Sequence, residues 1–233
     1  MNFLTLPISR SQAKVSAVFS TRRSLLFSII QAAGWPIYFL LAVSIVAVAL
    51  IIERFMVLRK EKIIPRDLLE RVLTAYQRQG VSDDMLERLA EDSPLGQVLA
   101  SGMRNYRSSR EVMKDAIEET GRAVTHELER FLTTLGTIAT ISPLMGLFGT
   151  VVGMIEIFGS QAPSGSNPIE LAHGISVALY NTGFGLVIAI PAMIFFRHFR
   201  GRVESLVVEM EQQAAKLVDV VHGERFESPP AHP

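Results

Sequence analysis

Cysteine is absent from the 233-residue chain, which excludes disulfide frameworks, thiolate chemistry and cysteine-based metal sites. Net charge is absent as well: 23 basic residues balance 23 acidic ones. Phosphate binding needs a concentrated basic surface, so nucleic acid is not an expected partner. The zero is an average over unlike segments, because long apolar runs alternate with charge-dense ones in the manner of a membrane protein. The histidines, His126, His173, His198, His222 and His232, are scattered along the chain. No Ser/His/Asp set, phosphate-cradling glycine loop or metal-ligand spacing accompanies them, so no catalytic residue, cofactor or metal is expected. The most informative absence is of charge at the centre of every long apolar run.

Three such runs are long enough to cross a bilayer, which takes about 20 apolar residues per helix. They cover residues 34–58, 131–158 and 171–196. Arg54, Arg59, Lys60, Lys62 and Arg66 cluster at and just after the first, and Arg197, Arg200 and Arg202 follow the third, whereas the connector "GSQAPSGSNPIE" has no basic residue. The positive-inside rule then puts the large loop 59–130 and the extension 197–223 in the cytoplasm, and the connector 159–170 outside. The tail 1–33 falls outside although Arg10, Lys14, Arg22 and Arg23 run against the rule; the bias after spans one and three is the larger one. This tail reads as an amphipathic or disordered external segment rather than a cleaved signal peptide. The expected fold is an all-α membrane protein with three transmembrane helices, long cytoplasmic helical extensions, the N-terminus outside and the C-terminus inside.

Punctuation divides the cytoplasmic loop. Pro65 opens a helix that ends near Gly80, Ser82 with Asp83 and Asp84 caps a second, and Ser93–Pro94 starts a third. Ser108 and Glu111 form a capping-box pattern for a fourth. Along it Met113, Ile117, Thr120, Val124, Leu128 and Phe131 keep one face apolar, and this predicts a single helix running from the cytoplasm through span two. Asn167, Pro168 and Glu170 mark the start of span three. Beyond the membrane Val203, Val207, Met210, Ala214, Leu217 and Val221 repeat at steps of four and three, a coiled-coil-like seam whose partner is either intramolecular or a second copy. Gly223 ends this helix, and 224–233 reads as a disordered tail.

The spans carry more than an anchor requires. Trp35 and Tyr38 sit where an interfacial aromatic anchor belongs. Gly146, Gly149 and Gly153 in span two, and Ala178, Thr182, Gly185, Ala189 and Ala192 in span three, form small-residue stripes that let helices pack closely in lipid. Pro143 and Pro191 are candidate bends. Thr140, Leu147 and Thr150 are read as one face of span two, and Asn181 and Thr182 lie at mid-depth in span three. A hydroxyl in a membrane helix can simply bond its own backbone; two facing helices that both present polar groups instead suggest the wall of a wet passage. A proton pathway needs a titratable carrier. Glu156 and His173 lie toward the outer end and Glu53 at the inner end, so a central carboxylate would have to come from a partner subunit.

With these residues in view, "TIATISPLMGLFGTVVGMIEIF" and "GISVALYNTGFGLVIAIPAMIFFRHF" resemble the two signature membrane helices of the ExbB/TolQ/MotA proton-channel family, most nearly its ExbB branch. "SPLGQVLASGM" and "IIERFMVLRK" match as well, so the likeness covers most of residues 30–222. The resemblance implies a non-enzymatic motor subunit of the bacterial inner membrane, assembled as a homopentamer. Its pore would hold the single membrane helices of an ExbD-like dimer, each bearing an aspartate, and the proton-driven motion would pass to a TonB-like protein. By motif position Thr150 and Thr182 match the family's pore threonines. Val177 stands where relatives usually carry a glutamate, so that group's role is either absent or relocated, with Glu156 as the candidate. Tyr180 and Asn181 also depart from the usual small apolar residues and mark a possible subfamily. A TolQ-like subunit of the Tol-Pal envelope system is the alternative within the family; a non-conducting membrane scaffold is the alternative outside it.

Overall fold

The computed structural model describes residues 34–159 and 168–223. The tail 1–33, the Asn167 cap and the tail 224–233 therefore lie outside the described residues. Eight helices follow one another among the described residues: α1 (Pro36–Val57), α2 (Lys60–Ile63), α3 (Leu68–Gln79), α4 (Asp83–Asp92), α5 (Pro94–Arg104), α6 (Arg110–Glu129), α7 (Leu132–Gly159) and α8 (Pro168–Val221). No strand occurs among them. Three helical stretches, beginning at Pro36, Arg110 and Leu171, are long and apolar enough to cross a membrane. The all-helical, three-span expectation is met.

The described residues form two compact units. One takes in residues 34–47 together with the described part of Thr137–Ala192; the other comprises Val48–Gly136 and residues 193–223. In the first unit most buried residues are small, Ile37 and Leu40 apart, and many large ones are exposed. Ala139, Ser142, Ala178, Asn181, Ala189 and Ala192 are hidden, while Ile45, Leu144, Ile155, Val187 and Ile190 are exposed. This inverts a water-soluble core, as expected where lipid solvates the large apolar side chains and small ones allow backbones to approach.

The second unit is built from capped helices. The Ser82 hydroxyl accepts the Met85 N–H at 3.3 Å and the Ser93 hydroxyl accepts the Gly96 N–H at 3.1 Å. Gly96 is needed there, since a Cβ at that position would overlap the Leu89 carbonyl. Two boundaries differ from expectation. α3 starts at Leu68 rather than at Pro65, after a left-handed Asp67 (φ 58°). The cap of α6 is Ser109, not Ser108: its hydroxyl accepts the Val112 N–H, which shifts Glu111 out of capping-box register. Glu111's own backbone N–H, and then the Ser109 hydroxyl, hold its carboxyl below the usual range.

The seam on α8 is closed within the chain. Val203, Met210, Ala214 and Leu217 are buried, and Lys60–Glu209 (2.7 Å) and Arg110–Asp219 (3.0 Å) ion pairs flank it. The continuous helix expected from loop to span two is interrupted instead. α6 stops at Glu129 and α7 begins at Leu132, with Phe131 in the left-handed region at φ 65°. That conformation costs a non-glycine residue about 1–2 kcal/mol, and Arg54 offsets it. Almost fully buried, Arg54 donates to the Leu128 carbonyl at 3.0 Å, one of the carbonyls left free where α6 ends. It also grips both Glu53 carboxylate oxygens, and its guanidinium lies 5.4 Å from the Phe131 ring centroid. Arg54→Ala should therefore lower stability by about 2–3 kcal/mol, mostly from the orphaned carbonyl, because the partly exposed Glu53 pair adds little. Denaturant titration in detergent measures this. Arg54→Lys should recover only part, lacking the fork that engages Glu53.

Candidate functional site

The first unit brings α7 and α8 together along a stripe of small residues. A Cβ at Gly146 would lie 2.7 Å from the Asn181 carbonyl oxygen, and one at Gly185 would lie 2.5 Å from the Ser142 carbonyl oxygen. At Gly149 the obstacle would be the Asn181 side chain at 2.8 Å, and at Gly153 the Ala178 Cβ at 3.1 Å. Gly146 and Gly185 thus meet backbone to backbone. Ala178, Ala189 and Ala192 are buried on α8. Ser142 was missed in the sequence reading: it is buried, donates to the Ile138 carbonyl at 2.7 Å, and presents its own carbonyl to Gly185. Its spacing from Gly146, Gly149 and Gly153, in steps of four, three and four, is the signal that identifies it.

Thr150 and Thr182 meet across this stripe, with their hydroxyl oxygens 2.6 Å apart. Thr150 Oγ1 also lies 3.2 Å from the Gly146 carbonyl of its own helix and 3.1 Å from the Ala178 carbonyl of α8. Two hydroxyl protons thus serve a cluster of two hydroxyls and two carbonyls. When Thr182 donates to Thr150, the Thr150 proton is released to a carbonyl. The result is a polar, uncharged knot joining the two helices. It can orient protons and water but holds no titratable group of its own.

Asn181 is buried directly beside this knot in sequence and covers Gly149. Thr140 is not part of it. Its hydroxyl bonds the Thr137 carbonyl at 3.0 Å, and both Thr140 and Leu147 are exposed while Thr150 is half-buried. Ten residues at 3.6 per turn put Thr140 and Thr150 about 80° apart around α7, so they do not share one face as the sequence reading had it. Glu156 is exposed and lines a cavity of about 350 Å³ with His173, Val177 and Asn181. No group of three or more His, Asp or Glu side chains able to hold a metal occurs among the described residues.

An ExbB-like biopolymer transport protein of Synechocystis is 29% identical over 181 residues, covering 76% of this chain and 86% of its own length. An ExbB biopolymer transport protein of Vibrio cholerae is 30% identical over 165 residues, 69% of this chain and 71% of that protein. The Tol-Pal system protein TolQ of Haemophilus influenzae is 27% identical over 208 residues, 83% and 90% of the two chains. The sequence profile of the MotA/TolQ/ExbB proton channel family matches residues 90–212, a stretch that contains the threonine pair, the glycine stripe, Glu156 and His173. Extending over more than half of the chain, that match means the protein belongs to the MotA/TolQ/ExbB proton channel family.

Proposed function

We propose that this chain is the channel-forming subunit of an ExbB-type motor in the bacterial inner membrane. It harnesses the proton motive force with an ExbD-like single-span partner to energise TonB-dependent transport across the outer membrane. The observation that carries this reading is the Thr150–Thr182 hydroxyl pair, set in an interface of small residues with no acid of its own beside it. Such a wall is suited to escort a proton held by another helix rather than to hold one. An aspartate on a partner helix completes it, in a homopentamer whose central opening admits a partner dimer. In this reading the N-terminus lies outside, the C-terminus lies in the cytoplasm, and lipid surrounds the exposed apolar faces.

A TolQ-like role in the Tol-Pal envelope system is the second reading, favoured by the longer coverage of the Haemophilus protein. Complementation separates the two: rescue of TonB-dependent uptake supports the first, and rescue of envelope integrity alone supports the second. The motor reading itself is tested by reconstituting the chain in vesicles with a single-span partner. Proton uptake should need both proteins and should disappear when the partner's membrane aspartate becomes asparagine. Uptake indifferent to the partner, or a chain that remains monomeric in detergent by mass measurement, would rule it out.

A further inference from the structure

We propose that Glu156 and His173 form a titratable port through which protons reach the Thr150–Thr182 pair, so that channel activity follows the pH on the connector side. The proposal deepens the proton-channel reading and rests on it.

The port is a place as well as a pair of residues. Its cavity, about 350 Å³, lies within one compact unit and has room for several waters. Glu156 lines it from α7 and His173 from α8. Gly153 and Gly174 line it too, and a side chain at either would crowd a neighbour. A Cβ at Gly174 would approach Ile157 to 2.7 Å, and one at Gly153 would approach Ala178 to 3.1 Å. Val177 gives an apolar wall, and Asn181, only 1% exposed, supplies a buried amide.

Glu156 and His173 are both exposed near the connector ends of α7 and α8, where they can meet solvent as well as the cavity. Among the described residues they are the only acid and base lining the space. Tyr38 and Tyr180, also in this unit, do not line it, and Glu170 precedes His173 by three residues in the sequence. Histidine is the side chain that ordinarily changes charge between about pH 5 and 8. A proton taken up by the imidazole can pass through water in the cavity to the Glu156 carboxylate, and back to water deeper in the cavity. The axial distance still to be covered is short. Six residues separate Glu156 from Thr150, about 9 Å along a helix, and Asn181 reaches both the cavity and the interface beside Gly149.

The test uses the chain reconstituted with its single-span partner, with proton flux read against the pH of the connector-side bath. Wild type should show a flux that depends on that pH. His173→Gln should flatten that profile, and Glu156→Gln should lower flux at every pH by at least about tenfold, equivalent to about 1.4 kcal/mol on the limiting barrier. A second readout needs no flux. A hydrophobic carbodiimide reacts with protonated carboxyls, so labelling of Glu156, located by mass spectrometry, should depend on pH in the wild type and change its midpoint in His173→Gln. Unchanged flux profiles together with labelling indifferent to His173 would refute the port. If Thr150→Val/Thr182→Val abolishes flux while the port variants behave as wild type, the channel stands and the port falls. If the threonine double variant conducts normally, the channel reading falls and takes the port with it.

Discussion

Gly185→Ala should destabilise the chain by about 2 kcal/mol net, whereas Gly183→Ala, two residues away on the same helix, should stabilise it. Helix propensity alone favours alanine at both positions by roughly 0.5–1 kcal/mol. Packing reverses the sign at only one of them. A Cβ at Gly185 would come within 2.5 Å of the Ser142 carbonyl oxygen and 3.1 Å of the Gly146 Cα, while one at Gly183 would meet nothing within 4 Å. Because the obstacle at Gly185 is backbone, no rotamer change can relieve it; the two helices must move apart along the whole stripe. Overpacking of this kind costs about 1–3 kcal/mol, occasionally more, and here it also threatens the 2.6 Å threonine contact one turn away. Denaturant or thermal unfolding of the isolated chain in detergent reads both variants. Equal behaviour of the two glycines would mean that α7 and α8 do not meet as described.

Thr150→Val combined with Thr182→Val should leave the protein folded and assembled but lower proton-coupled function by at least about tenfold, equivalent to about 1.4 kcal/mol on the limiting step. Valine matches threonine in shape, so the stripe still closes. What disappears is the hydroxyl pair and the Thr150 contact to the Ala178 carbonyl. Interhelical hydrogen bonds in membranes contribute only about 0.6–2 kcal/mol, so stability falls slightly while the polar wall is lost. Vesicle proton uptake, with assembly quantified in the same preparations, separates the two effects. Normal uptake at normal assembly would leave the small-residue stripe as a scaffold and nothing more.

Local chemistry made much of this architecture legible. Ser82 and Ser93 cap the helices that begin beside them because a hydroxyl accepting a helix-start N–H is a short-range arrangement. The three apolar stretches are visible for the same reason, since bilayer thickness sets a length that can be counted. Ser109 displaced Ser108 because adjacent serines offer nearly equal caps, and the chain entering from Asn105 selects the register. The break at Arg130–Phe131 was not legible. Periodicity runs through it unbroken, and the left-handed phenylalanine is held by a buried Arg54, 74 positions from Leu128, on whose carbonyl it closes, and by Arg130 beside its ring.

At the candidate site the division is similar. Thr150, Thr182 and the glycines announce themselves by type and spacing, and the family resemblance places them within known motifs. That the two hydroxyls meet, that Thr140 faces elsewhere, and that Ser142 offers its carbonyl to Gly185 depend on the rotation of α7 against α8. So does the cavity shared by Glu156 and His173. The sequence by itself determined the spans, their small-residue stripes and about half of the helix starts, because hydropathy, residue volume and capping act over a few neighbouring residues. The tertiary structure alone decided which polar groups meet, where α6 ends and what closes the α8 seam, because each depends on residues far apart in the chain and on one choice of helix rotation.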